Sequence, residues 1–370
     1  MQTLPQAKEY HRIKNRLFVI NLILTLCILL IIILSGFSNQ LKTNLGQISA
    51  NPLILNGLYI TALSFFFYLA GFPLDFYEGF ILEHRFQLSR QSLGGYLKDH
   101  LKKSFISLAI TLIAIEFLYL FLSRFPKIWW VLAALGWFFL TVILAKITPS
   151  LLLPLFYKYL PLKDRALRDK IIAMFSRAET QLKDVYMIDF SSKTKKLNAA
   201  VAGFGRSRRV ILTDNLLAEL SHDEILSIVA HELGHYKNRD TIKIVTFSAL
   251  VTGILFYASD YVLKNTLPIF GCGHISDIAG FPLFALTMFV LGILVMPIQN
   301  GFIRRLETRA DLYSLSLMKM PDVFISMMEK LAQKNLAEAE PGRFVEIMLY
   351  DHPPIAKRIA LAKGFKTAVP

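Results

Sequence analysis

The sequence predicts a mainly α-helical, polytopic membrane protein of about six spans with a small α+β domain outside the bilayer. Three observations predict it. The chain is 54% hydrophobic over 370 residues with a mean hydropathy of +0.47, too apolar for an ordinary soluble protein of this size. Six apolar runs, at 17–37, 53–74, 104–124, 128–150, 242–262 and 279–299, each approach the ~20 residues a helix needs to cross the hydrocarbon core. Between the fourth and fifth runs lies a polar stretch, 151–241, in which strand-like alternation and helical periodicity follow one another.

The first run is too long for the apolar part of a signal peptide and no small-residue cleavage pattern follows it, so it reads as a retained span. Orientation follows from lysine and arginine. The N-terminal segment carries Lys8, Arg12, Lys14 and Arg16, and the loop after span two carries Arg85, Arg90, Lys98, Lys102 and Lys103. The loops after spans one and five hold only Lys42 and Lys264. An inside N-terminus therefore puts 75–103, 151–241 and 300–370 in the cytoplasm. Arg124 and Lys127, in the short third loop, run against this pattern.

Within 151–241 a helix is expected near 163–179 and a strand over Val185–Phe190. Two further strands, Asn198–Phe204 and Arg209–Leu212, read as a hairpin turning at Gly205-Arg206-Ser207-Arg208. Ser221-His222-Asp223-Glu224 has the form of a capping box, so a helix starts there and leads past His235 toward span five. After span six the helix continues to about Met318, Pro321 opens another, Pro341-Gly342 marks a turn, and His352-Pro353-Pro354 leads into a last short helix. The expected organisation is a four-span part (1–150), a cytoplasmic α+β part (151–241), a two-span hairpin (242–299) and a C-terminal part (300–370).

The net charge of +14 is concentrated in loops, which in so apolar a chain points to orientation and anionic lipid. Lys193, Lys195, Lys196, Arg206, Arg208 and Arg209 form a basic area suited to lipid headgroups or a substrate carboxylate. Nucleic acid is not expected, because neither an aromatic platform nor a groove-reading helix accompanies these charges. Two cysteines, Cys27 in a span and Cys272 in a loop, provide neither a disulfide framework nor a cysteine metal site.

The chemistry is carried by His231-Glu232-Leu233-Gly234-His235. Histidines at i and i+4 share a helix face, so both imidazoles reach one metal ion, and the intervening glutamate is turned away from ligation but can act as general base. A catalytic zinc needs a third protein ligand and an open position. No histidine follows closely, but Glu307-Thr308-Arg309-Ala310-Asp311 lies on the helix leaving span six. There Glu307 would ligate and Asp311, one turn on, would fix a histidine tautomer. A hairpin of spans five and six returns the chain to the same membrane face, as this ligand set requires. The zinc-binding pattern makes the small domain zincin-like, with one zinc per chain.

These motifs, with Asp351-His352-Pro353-Pro354 and Arg358, Leu82-Glu83-His84-Arg85-Phe86 and Pro154-Leu155-Phe156, resemble the CAAX prenyl protease 1 family of integral membrane zinc endopeptidases. The resemblance covers residues 53 to 365. It implies hydrolysis of peptide bonds near the C-terminus of prenylated (CAAX) or other membrane-associated peptides. It places Asn198 and Ala199 at the start of an edge strand that pairs with substrate, Asn198 also supporting the scissile carbonyl. It gives His352 the role of oxyanion donor and puts Arg358 near the same centre. The family usually has seven spans, and the count of six leaves one missing between span one and Leu82–Phe86.

Three other readings share part of this pattern. An HtpX-type membrane quality-control protease shares the zinc motif but has a shorter N-terminal membrane part. A transporter or channel with a structural metal site would carry charges inside its spans, where only Glu116, Lys146 and Asp260 occur. An inactive scaffold would lack Glu232.

Overall fold

The computed structural model describes residues 5–203 and 208–368. Among the described residues, six helices are long and apolar enough to cross a membrane: Pro5–Leu34, Pro52–Arg85, Leu93–Arg124, Trp129–Leu155, Asp240–Phe270 and Ile278–Met318. They coincide with the six apolar runs, and the chain is an integral, multi-pass membrane protein. In order, α1 (Pro5–Leu34) is followed by a short α2 (Phe37–Gly46) and by α3 (Pro52–Phe76). At ten residues, α2 is about 15 Å long and does not cross. A π-helical turn, Tyr77–Leu82, carries α3 into a last turn, α4 (Glu83–Arg85). Then come α5 (Leu93–Arg124) and α6 (Trp129–Ile147).

The membrane helices pack through a core that includes Tyr59, Ile60, Tyr119, Trp129, Phe256 and Leu283. Large apolar side chains such as Phe65, Phe105, Ile113 and Leu250 stay exposed on their outer surfaces, as lipid-facing positions do. Of the three charges inside spans, Asp260 accepts from Trp129 Nε1 at 2.6 Å and from Lys264 Nζ at 2.7 Å, a structural pairing between α6 and the fifth span.

The extramembrane part contains β1 (Tyr159–Pro161), α7 (Arg165–Arg177), β2 (Asp184–Ile188), β3 (Ala199–Ala202), β4 (Arg209–Thr213), α8 (Asp214–Glu219) and α9 (His222–Lys237). The sheet order is β1-β2-β4-β3, with β2 parallel to β4 and the outer pairs antiparallel. Thus β3 is an edge strand. The expected hairpin is present as β3 and β4, and most of its turn, Phe204–Ser207, lies outside the described residues.

The sequence leaves open a merger of the His231 helix with span five; the structure separates the two. Arg239 adopts a left-handed φ of 54° and separates α9 from α10 (Asp240–Thr266). The sixth span is α11 (Phe281–Met318), which runs far beyond the bilayer, followed by α12 (Pro321–Lys334), α13 (Arg343–Leu349) and α14 (Ile355–Ala368). One apolar core joins the sheet to α7, α9, α12 and α14 through Ile171, Phe175, Val185, Leu212, Ile225, Val229, Phe324 and Met327.

Candidate metal centre

The capping box expected at the start of α9 is formed: Ser221 accepts from the Glu224 amide, and the Glu224 carboxylate accepts from the Ser221 amide at 2.8 Å. The buried Glu224 side chain also accepts from Ser326 Oγ at 2.7 Å and Lys330 Nζ at 2.8 Å, so the start of α9 is tied to α12. This fixes the helix that carries His231, Glu232 and His235.

A stripe of small residues sets how close α9 comes to α11. Ser314 Oγ donates to the Ser227 carbonyl at 2.7 Å, and one turn or two further on Ala230 and Gly234 are fully buried. A Cβ on Gly234 would lie 3.0 Å from Tyr313 Cβ, 3.1 Å from Ala310 Cα and 3.2 Å from Ala310 O, so glycine permits the closest approach here. The consequence is that Glu307, one turn before Ala310, reaches both histidines. Its Oε1 lies 3.2 Å from His235 Nε2 and its Oε2 3.3 Å from His231 Nε2. The two Nε2 atoms are 3.2 Å apart, and one ligating atom from each of His231, His235 and Glu307 falls within 4.8 Å of the others.

Each imidazole is oriented from behind. His231 Nδ1 donates to Asp311 Oδ1 at 2.8 Å, and His235 Nδ1 donates to Asp240 Oδ2 at 3.0 Å. With the ring protons held at Nδ1, both Nε2 lone pairs face the carboxylate of Glu307. Glu307 Oε2 is buried and accepts no hydrogen bond. Two imidazole nitrogens and a carboxylate converging on one point can hold a cation, and an N, N, O set of this kind suits zinc. The acceptors around the rings also favour positive charge at this point, which a proton or a metal ion can supply. Burial pushes His231 down, but its bonds to Asp311 and Glu307 outweigh this and hold it up at about 9. His235 is likewise raised, burial being outweighed chiefly by Glu307.

The other predicted residues gather around this centre. His352 Nε2 is 3.4 Å from Glu307 Oε2, and its Nδ1 donates to Asp351 at 2.8 Å, a bond that lifts the imidazole above the ordinary histidine range. Arg358 stands one step back: Nε and Nη2 grip Asp311 at 2.7 and 2.5 Å, which makes it a positioning residue for His231. Glu232 and the start of β3 line a cavity of about 240 Å³ together with His231, His352 and Arg358, and Asn198 and Ala199 form part of its wall. The remaining walls are mostly apolar: Leu216, Ile228, Met327, Met328 and Leu331. The edge of β3 not paired with β4 carries no strand among the described residues.

A model for peptidase family M48 matches residues 161–366, and a model for the CAAX prenyl protease N-terminal region with five membrane helices matches residues 1–158. The chain belongs to peptidase family M48. It is therefore a membrane-embedded metallopeptidase. Within 1–158 this M48 chain has four helices long enough to span, with the short α2 lying between the first two. A metalloprotease of Bacillus subtilis, YhfN, is 29% identical over 98% of this chain and 86% of its own length. CAAX prenyl protease 1 of Saccharomyces cerevisiae is 28% identical over 79% of this chain and 68% of its own. The crystal structure of S. mikatae Ste24p has the same fold, with a TM-score of 0.88 at 24% identity over 96% of this chain and 88% of that one.

Several residues of this M48 site escape a sequence reading. Asp240, the partner of His235, is buried just beyond the Arg239 break and is itself held by Lys243 at 2.9 Å. Asn335 clamps Leu197 from both sides, accepting from its amide at 2.8 Å and donating to its carbonyl at 3.1 Å. Thr213 does the same for Asn198, its Oγ1 accepting from the Asn198 amide and its own amide donating to the Asn198 carbonyl, both at 3.1 Å. These clamps hold the lead-in to β3. The basic area foreseen here is not a free patch: Lys193 pairs with Asp99, Lys196 pairs with Glu83 at 2.8 Å, and buried Arg208 stacks on Tyr236 at 3.6 Å. Arg206 lies outside the described residues.

Proposed function

We propose that this chain is a zinc metalloendopeptidase whose site opens to the cytoplasm and which cuts near the C-terminus of prenylated (CAAX) or other membrane-associated peptides. The observation that carries this reading is the convergence of His231, His235 and Glu307 beside Glu232, in a cavity bordered by an unpaired strand edge. His231, His235 and Glu307 would hold the ion. When bound, zinc supplies Lewis-acid polarisation of the scissile carbonyl and acidifies water at neutral pH.

The chain's own residues do the rest. A substrate segment lies extended along β3 and pairs with its free backbone groups. Glu232 takes the proton of the attacking water and delivers it to the departing amine. Asn198 and His352 donate to the oxyanion that develops on the carbonyl, His352 being oriented by Asp351. Arg358 and Asp311 hold His231 in place. The apolar walls contributed by Met327, Met328 and Leu331 accept an aliphatic side chain next to the cut. The identity to CAAX prenyl proteases and the match of residues 1–158 to their N-terminal region support a substrate drawn from the membrane surface.

The test is cleavage of matched prenylated and plain CAAX peptides by the purified full chain, with metal content measured in parallel. Glu232→Gln is expected to retain one zinc and lose turnover, and a zinc chelator is expected to stop the wild type. Cleavage by Glu232→Gln at the wild-type rate would overturn the assignment. Equal rates on prenylated and plain peptides would remove the prenyl preference.

A further inference from the structure

A groove of about 740 Å³ lies away from the metal centre, between the first turns of α1 and the segment that enters α13. Lys8, Arg12 and Arg16 line it at intervals of four residues, one face of α1. All three are exposed, and none makes a hydrogen bond or ion pair with a described residue. The two carboxylates that share the groove are already engaged. Glu9 accepts from Arg85 at 2.6 Å, and Glu338 is hydrogen-bonded to Tyr350. Glu338 also faces Lys8 electrostatically, so the groove keeps an excess of positive charge carried mainly by Arg12 and Arg16.

Its depth relative to the bilayer follows from α1. The apolar run begins directly after Arg16, so the three cations sit at the level of lipid headgroups. Above them Val19, half exposed, continues the groove onto the lipid-facing side of the span. On the other side, Gly342 and Val345 form the wall, and Phe344 beside them is 75% exposed. The site thus presents three cations to a headgroup and apolar surface to the acyl region.

We propose that this groove binds the headgroup of an anionic phospholipid. The site adjoins the catalytic region through its own wall. Arg304 donates to the Glu346 and Tyr350 carbonyls and Asn300 to the Met348 carbonyl, which fixes α13 against α11 just ahead of Asp351 and His352. Tyr10 and His11, elsewhere on the same turns of α1, bond to Glu83 and to the Leu336 carbonyl, so the same helix end also touches the elements that lead to β3 and α13.

The experiment exchanges the full-length protein into nanodiscs of equal phosphatidylcholine and phosphatidylglycerol and counts retained lipids by native mass spectrometry. Each cation near an anionic headgroup favours binding by about fivefold, so the wild type is expected to retain phosphatidylglycerol over phosphatidylcholine by at least about tenfold. Two variants separate the groove from general surface charge. Lys8→Gln/Arg12→Gln/Arg16→Gln removes the charges, and Val345→Trp fills the groove while leaving them. Loss of the preference in both supports the site. No preference in the wild type, or retention in the triple variant, overturns it. Loss in the triple variant with full retention in Val345→Trp also overturns it, since the charges would then act only as a diffuse surface.

Discussion

Gly234 lies so close to Ala310 that a β-carbon on the former would stand 3.1 Å from the α-carbon of the latter. With Tyr313 Cβ at 3.0 Å as well, a side chain is admitted only if α11 gives by a few tenths of an ångström. Because Glu307 is one turn away on that helix, Gly234→Ala is expected to draw the carboxylate off the two imidazoles. Displacements of even ~1 Å in such constellations cost up to about a hundredfold in rate. A fall in kcat of tenfold or more with zinc affinity reduced is the expected reading. Wild-type kcat and metal content would show that the contact is slack.

The carboxylates behind the histidines offer a second measurement. Asp240→Asn and Asp311→Asn keep shape but weaken the bond that orients each Nδ1. Each is expected to lower zinc affinity by about 10- to 100-fold in a competition titration with a chelator. Asp311→Asn should also leave Arg358 buried without its partner and lower the melting temperature more than Asp240→Asn does.

Acid stability should depend on Glu224. Burial alone would raise its pKa, but Lys330, the Ser221 amide and Ser326 together hold it below the ordinary glutamate value of 4.5. A carboxylate depressed in the folded state stabilises the fold above its unfolded pKa, and that contribution is lost as pH falls through the folded value. The melting temperature should therefore decline below about pH 4.5, as Glu224 becomes protonated and α9 loses its tie to α12. In Glu224→Gln the protein should start less stable at pH 7 and show a shallower acid limb. An acid limb as steep as that of the wild type would assign the loss to other groups.

Met327 and Leu331 set the width of the apolar cavity beside His231. Met327→Trp should narrow it. On a peptide panel varying one residue next to the cut, the variant is expected to lose kcat/KM for leucine and isoleucine by roughly tenfold while keeping alanine, in the range a few methylenes command. A uniform loss across the panel would place this pocket outside substrate recognition.

What could be read in the sequence was whatever is local. Apolar runs, the i, i+4 histidine pair and the capping box at Ser221 are each contained in a short window, and each appears in the structure where its pattern lies. Glu307 could be reached because the ligand count demanded a third donor and the spans returned the chain to the right face. Asp240 was hidden by the left-handed turn at Arg239, which has no glycine to advertise it and which swings the next acid back toward His235. The Asn335 clamp joins residues 138 apart through a side-chain amide and leaves no periodic trace. Strand β1 is three residues long and exists only through its pairing with β2, so its own composition does not mark it.

The unpaired edge of β3 has a consequence for which proteins can be cut. A chain segment already in a helix or an internal strand has its amides and carbonyls matched, and none remain for β3. Only tails, linkers and locally unfolded stretches arrive with free main-chain groups. With substrate pairing along β3 as proposed, the edge would act as a filter for foldedness, passing over intact membrane proteins and admitting the same polypeptide once a terminus frays. Substrate choice at this surface would then be governed as much by how a protein is folded as by which residues it displays.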